Sequence, residues 1–209
     1  MTTAKRESTS AYRNESPILE QLVRVLGDLE GDVIEVAAGT GQHAAAFSAA
    51  LPALTWWPTD IDANNLASIE EWRGEKGNGN LQAPLPLDVT SAGWMGGEPM
   101  PPLPEKAEAV VCINMIHIAP WIVTEGLFSG ARRRLESGGI LYLYGPYRRG
   151  GKHTAESNAR FDVSLRAQDI RWGVRDLEAV QALGSAHGFT LDEPVEMPAN
   201  NLSLIFRFG

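Results

Sequence analysis

The feature that most constrains this chain is an alternation of strand-like and helical segments, repeated down its length and then broken at the end. Ser16 followed by Pro17 reads as an N-cap and first-turn proline, after which Ile18, Leu19, Leu22, Val23 and Leu26 fall on one helical face. "DVIEVA" (32–37) reads as a short strand, and the alanine-rich "GQHAAAFSAAL" as a helix ended by Pro52. "LTWW" reads as a second strand, "NNLASIEEW" as a helix, the glycine-rich "RGEKGNGN" as a turn, and "LPLDV" as the end of a third strand. Residues 91–104 read as a long irregular loop. "AEAVVCIN" is the strongest strand pattern in the chain. Residues 121–135 then make a helix, "GGILYLYG" a fifth strand, residues 176–186 a helix stopped by Gly188, and "FTLDEPVEM" and "NLSLIFRF" two closing strands.

Parallel neighbours need a helical crossover, so this alternation predicts a parallel sheet with helices on both faces. The last two strands have no room for a crossover and must pair antiparallel. The expected fold is therefore α/β and Rossmann-like, a seven-stranded, mostly parallel sheet with an antiparallel C-terminal hairpin. Its element order resembles that of the class I S-adenosylmethionine-dependent methyltransferases. With 209 residues, 44% of them hydrophobic, residues 16–209 are read as one domain. Residues 1–15 are read as an N-terminal tail or lid.

Charge and cysteine content narrow the partners. A net charge of −8 removes the electrostatic attraction that dominates nucleic-acid affinity. The single cysteine, Cys112, excludes an internal disulfide and suits a reducing, cytoplasmic setting. The chain shows neither an apolar run of signal-peptide length nor a membrane-spanning stretch. No His, Cys, Asp or Glu cluster has metal-ligand spacing, so no metal is expected.

In open α/β sheets, ligands bind beyond the C-terminal strand ends, near the point where strand order reverses. Polar groups stand at four such ends. The first strand ends in "EVAAGTG", where Gly39 and Gly41 flank Thr40 and permit a sharp turn close to a ligand. Asp60, with Ile61 beside it, follows the second strand about 20 residues after the first glycine, a distance that suits a ribose hydroxyl pair. Asp88 and Val89 follow the third and could hold an adenine, and Asn114 and Met115 follow the fourth. A lone Gly-x-Gly is as readily a tight turn, and an acid after a strand as readily a helix cap. Their recurrence one strand-helix unit apart places all of them on the same sheet edge.

Spread over nearly the whole length, "YRNESPIL", "EVAAGTGQH", "LTWWPTDID", "LDVT", "NMIHIAPW", "LYGPY", "SNARFD", "WGVRDLEAV" and "MPANNL" resemble the methyltransferase-like 26 family, also called the domain of unknown function 938 family. The resemblance implies a class I methyltransferase fold with an S-adenosylmethionine site. It puts Glu35 and the Gly39–Gly41 turn near the methionine moiety, Asp60 at the ribose, and Asp88 with Val89 at the adenine. Ala37 departs from the broad methyltransferase pattern, which has glycine there. His43, in the first turn after the glycines, helps fix the cofactor loop. Arg13 and Asn14 precede the first predicted helix and reach the cofactor if the N-terminal segment closes as a lid.

"GTGQHA" also fits a dinucleotide fingerprint, so an NAD(P)-binding oxidoreductase remains an alternative, as does a protein that binds S-adenosylmethionine without chemistry. No tyrosine is followed four residues on by the lysine that a short-chain reductase would need, and the antiparallel finish favours the methyltransferase. The expected activity is methyl transfer to a small-molecule acceptor. Such transfer needs alignment in a dry pocket, and a base only if the nucleophile carries a proton. His117, just past the fourth strand, and His153, after the fifth, are the candidate bases, both expected to face one pocket. His187 lies at a helix end and suits the helix dipole. Tyr144, Tyr147, Asn158, Phe161 and Asn200 are the candidate acceptor-binding residues. The basic run "YRRGGK" borders the same pocket and could attract an anionic substrate.

Overall fold

The computed structural model describes residues 4–76, 79–99 and 102–209. Residues 1–3 of the expected tail, Gly77 and Asn78 of the expected turn, and Met100 and Pro101 of the expected loop lie outside them. The chain runs α1 (Thr9–Leu26), β1 (Gly31–Val36), α2 (Gln42–Ala50), β2 (Leu54–Asp60), α3 (Ala63–Lys76), β3 (Leu85–Pro86), β4 (Ala107–Ile113), α4 (Trp121–Arg134) and β5 (Leu135–Gly145). It continues through β6 (Tyr147–Arg149), β7 (Lys152–His153), α5 (Glu156–Gln168), β8 (Arg175–Asp176), α6 (Leu177–Ala186), β9 (Phe189–Leu191), β10 (Val195–Met197) and β11 (Asn201–Phe208).

The main sheet has the order β10-β11-β5-β4-β1-β2-β3. β1, β2, β3, β4 and β5 are mutually parallel, and β11 runs antiparallel to β5. The predicted strand 189–197 is broken into β9 and β10, both of which pair antiparallel with β11. Order reverses between β1 and β4, so the crevice at their C-terminal ends is the topological switch point.

Alternation along the strands divides the core. Ile34, Val36, Val110, Cys112, Leu141, Leu143 and Phe206 pack under α4 and α6. Their neighbours Val33, Ala109, Val111, Ile140, Tyr142 and Ile205 face Ile18, Leu22 and Leu26 of α1 and Phe47 of α2. A strand that is apolar on both faces is what a doubly covered parallel sheet requires.

Three local readings are corrected. α1 begins at Thr9, eight residues before Pro17, with Ser8 as its N-cap; Pro17 lies inside the helix. The early turns outweigh the proline because they are tied down: Gln42 Oε1 accepts from the Ser8 backbone, Trp72 Nε1 donates to Arg6 O, and Ser68 Oγ accepts from Arg6 N. α3 runs on through residues 73–76, where a turn was expected, with Arg73 bonded back to Glu70 on its surface. α5 and the small β7-β6-β8 sheet are additions to the expected layout. Loop 91–104 contains no helix or strand among its described residues, and Trp94 anchors it by donating to Gly126 O at 3.0 Å. No helix among the described residues is long and apolar enough to cross a membrane. They contain no cluster of three or more His, Cys, Asp or Glu able to hold a metal.

Candidate active site

The loop after β1 is a folded cradle. Ala37 takes a left-handed conformation (φ 57°), as do Gly39 (φ 60°) and Gly41 (φ 90°). Ala38 N donates to Thr59 O at 2.8 Å and Gly39 N to Asp60 Oδ2 at 2.9 Å, so the end of β2 clamps the loop. At Gly41 a Cβ would lie 2.7 Å from Ile69 Cα; at Gly39 it would meet nothing within 4 Å. The first glycine thus opens on the crevice, whereas the second lets α2 seat on α3.

Two cavities meet over this cradle. A trough of about 190 Å³ is lined by Glu35, Ala37–Thr40, His43, Asn65, Asn114 and the first turns of α1. A larger cavity of about 560 Å³ lies beside it, lined by Arg13, Tyr144, Pro146, Asn158, Phe161 and the 198–201 turn among others. Ser10, Asn14 and Asn114 line both. Asn114 reaches this junction because β4 ends there in a left-handed turn (φ 63°), its N–H donating to Tyr144 O at 2.8 Å. Asn14 is held by its amide group, whose nitrogen lies 2.8–2.9 Å from Ser10 O, Ala11 O and His43 Nε2 and shares its two hydrogens among them.

Electrostatics separate the two spaces. Glu35 is buried on the trough floor, where the Trp56 indole donates to Oε2 at 2.6 Å. Burial pushes its carboxyl up to about 8, with the nearby Asp60 acting in the same direction. The carboxyl is therefore neutral at pH 7, and a cation brought beside it would favour loss of its proton. Burial lowers His43 to about 4, so the ring is neutral and its role is to hold Asn14 while stacking on Phe47 at 5.0 Å. In the larger cavity burial raises the Tyr144 hydroxyl, which is hydrogen-bonded to the side chains of Asn14 and Asn201.

Several expected residues fall elsewhere. Arg13 lines the larger cavity and not the trough, because α1 begins early enough to carry it across the junction. His117 is fully buried and lines neither cavity. Its ring sits edge-on to Tyr147, Nδ1 accepts from Arg175 N, and burial together with Arg175 drives it down to about 3. A group so placed cannot take a proton from a substrate. His153 also lies off both cavities and faces Asp162 at 3.8 Å. Tyr147 is wholly buried, and Asn200 turns its amide to Ser157 while its carbonyl accepts from Asn158. Ala199 and Asn201 line the cavity in its place.

Asp60 is almost fully buried, with Oδ1 accepting from Asp62 N as Oδ2 does from Gly39 N. Ile61 stands exposed beside it. Asp88 is exposed and caps its own turn by accepting from Thr90, while Val89 and Met115 are buried in the core. Asp88 lines a third hollow of about 390 Å³ with Pro86 and Ser91, separate from the trough. Ser10, Asn65 and Pro146 are cavity residues that sequence reasoning missed. Asn65 had a signal, lying in the first turn of the helix after Asp60.

This architecture, with its crevice at the β1/β4 reversal and β11 inserted antiparallel beside β5, defines a Rossmann-like methyltransferase fold. An O-methyltransferase family protein from Burkholderia thailandensis superposes with a TM-score of 0.80 at 14% identity, over 96% of this chain and 57% of that one. Magnesium protoporphyrin IX methyltransferase (ChlM) from Synechocystis PCC 6803, solved with bound SAH, gives 0.70 at 12% identity, over 98% and 89%. An O-methyltransferase family 2 protein from Planctomyces limnophilus, in complex with apigenin, gives 0.68 at 15% identity, over 85% and 50%. The chain thus spans little more than half the length of the Burkholderia protein, and at these identities the likeness is one of fold. The chain itself belongs to the DUF938 family, described as a protein of unknown function, whose model matches residues 5–208.

Proposed function

We propose that the protein is an S-adenosylmethionine-dependent methyltransferase acting on a small molecule, as its resemblance to the methyltransferase-like 26 proteins also implies. The observation that carries this reading is the junction at Asn14 and Asn114, where a trough over the β1 loop and a second, larger cavity share wall residues. A methyl group held at that junction faces an acceptor across it. The trough suits the cofactor chemically: Glu35 offers a buried carboxyl to the ammonium and sulfonium charges, and the open face of Gly39 leaves room for close approach. Asp60 lines neither cavity and serves the site through its grip on Gly39 N, which holds the loop in shape. The cofactor supplies an electrophilic methyl carbon.

The chain's own contribution is then alignment and exclusion of water. In-line displacement gains most from fixed geometry, and the four amides of Asn14, Asn114, Asn158 and Asn201 around the larger cavity supply orienting hydrogen bonds. Calorimetry with S-adenosylmethionine, S-adenosylhomocysteine, NAD and NADP tests the assignment. Binding of the first two with silence from the others is the expected result; a dinucleotide binding in their place refutes it.

A further inference from the structure

The larger cavity has an unusual charge pattern for a chain with 26 acidic side chains against 18 basic ones. Among the described residues, Arg13 is its one charged wall residue. Among the described residues its guanidinium is in no ion pair, as is also true of Arg6, Arg24 and Arg175, and the residue stands exposed at the cavity rim. What sets Arg13 apart is its place: a guanidinium at the rim of a cavity whose other lining residues are uncharged can take an anion in a bidentate contact without competition from a neighbouring carboxylate. The remaining polar wall groups are neutral amides and hydroxyls, and Phe161 with Pro146 and Pro198 supplies flat apolar surface.

Among the described residues, the same wall carries no carboxylate or imidazole to accept a proton. Neither His117 nor His153 reaches it, and the Tyr144 hydroxyl is held in its protonated form by burial. We infer that the acceptor is a small planar carboxylate, recognised by Arg13, whose nucleophilic atom arrives already free of any proton that must be removed. This inference rests on assigning the larger cavity to the methyl acceptor. In the step itself, a lone pair on the ionised acceptor atom forms the new bond to the methyl carbon as the carbon–sulfur bond breaks. Its electrons pass to sulfur, and the negative nucleophile and positive sulfonium become two neutral centres. No proton changes hands, so the missing base is no defect.

An aryl thiol tests both halves of the inference. 2-Mercaptobenzoate and its uncharged counterpart 2-mercaptobenzamide are titrated into the full chain saturated with S-adenosylhomocysteine, then offered with S-adenosylmethionine while S-methyl product is followed by mass spectrometry. The carboxylate should bind at least about tenfold more tightly than the amide, the difference expected of a charge-assisted contact. Arg13→Gln should erase that preference while changing S-adenosylhomocysteine affinity less than about threefold. At saturating S-adenosylmethionine, product formation should follow the ionisation of the thiol. The inference is overturned if the two compounds bind alike or neither binds, or if Arg13→Gln weakens S-adenosylhomocysteine as much as it weakens the carboxylate. If wild-type protein binds no S-adenosylhomocysteine, the cofactor assignment fails first, and this inference falls with it.

Discussion

The indole of Trp56 donates its hydrogen to Glu35 across two neighbouring parallel strands, 2.6 Å apart and out of reach of water. One neutral donor does not offset the cost of burying a carboxylate, and so the proton stays on Glu35 to about pH 8. Because the folded state holds this proton more tightly than the unfolded chain, stability falls as pH rises from the ordinary glutamate range towards 8. His43 and His117, lowered to about 4 and about 3, act with the opposite sign and remove stability as pH falls below 6.5. From these three groups, stability should peak near pH 6.5. Urea unfolding of the free protein at pH 5.5, 6.5 and 8 checks this, and Glu35→Gln should flatten the alkaline limb while steepening the acid one, because the Glu35 proton opposes the histidines below pH 6.5 as well. An unchanged alkaline limb in that variant would contradict the assignment.

The two glycines of the cradle should separate binding from folding. Gly41→Ala drives a methyl against the backbone of α3 and should cost roughly 2–3 kcal/mol of stability. Gly39→Ala meets open space, so its cost is the left-handed strain alone, about 1 kcal/mol, while its methyl intrudes on the trough. Denaturant midpoints and S-adenosylhomocysteine titrations on both variants should therefore rank them in opposite orders.

Ala37 carries a left-handed strain that glycine would not. Ala37→Gly relieves it but loses a half-buried methyl and adds freedom to the unfolded chain, so stability should stay within about 1 kcal/mol of wild type. Ala37→Val puts a branched side chain in the same conformation and should cost about 2 kcal/mol or more. Thermal unfolding of the pair measures the strain directly.

Asp60 joins both glycine-loop geometry and the start of α3, accepting from Gly39 N and Asp62 N. Asp60→Ala leaves two backbone donors without their charged acceptor and should cost on the order of 2–3 kcal/mol, with S-adenosylhomocysteine affinity falling as the loop loosens. Full stability with lost affinity would instead mean that Asp60 serves the ligand alone.

The alternation of strands and helices was readable because apolar period and glycine or proline punctuation agree over β1, β2, β4 and β5. The same punctuation marked Gly39, Asp60 and Asn114 as groups on one edge. What escaped has physical causes. Pro17 imitates a helix start so well that residues 1–15 read as a tail or lid, although Arg6, Ser8 and Asn14 find partners on α2 and α3 that are distant in sequence. α5 buries only Asn158, Asp162 and Leu165, leaving no apolar stripe to read. His117 looked like a base because it follows a strand end, but a one-turn 3-10 helix at residues 115–117 carries its ring down into the core.

α1 is a helix in two unlike halves. Ile18, Leu22 and Leu26 seal its second half to the sheet, whereas Ala11 is the one apolar residue buried in the first. Between them Pro17 has no N–H to give the carbonyl of Arg13, so the rod is weakest where the character changes. The front half, which roofs both cavities, is thus fastened by polar contacts that water can replace at little cost. Amide exchange should run faster at residues 9–15 than at 18–26, and slow in the front half alone once a ligand lies beneath it. Access to both cavities would then be set by how readily this half-helix lifts.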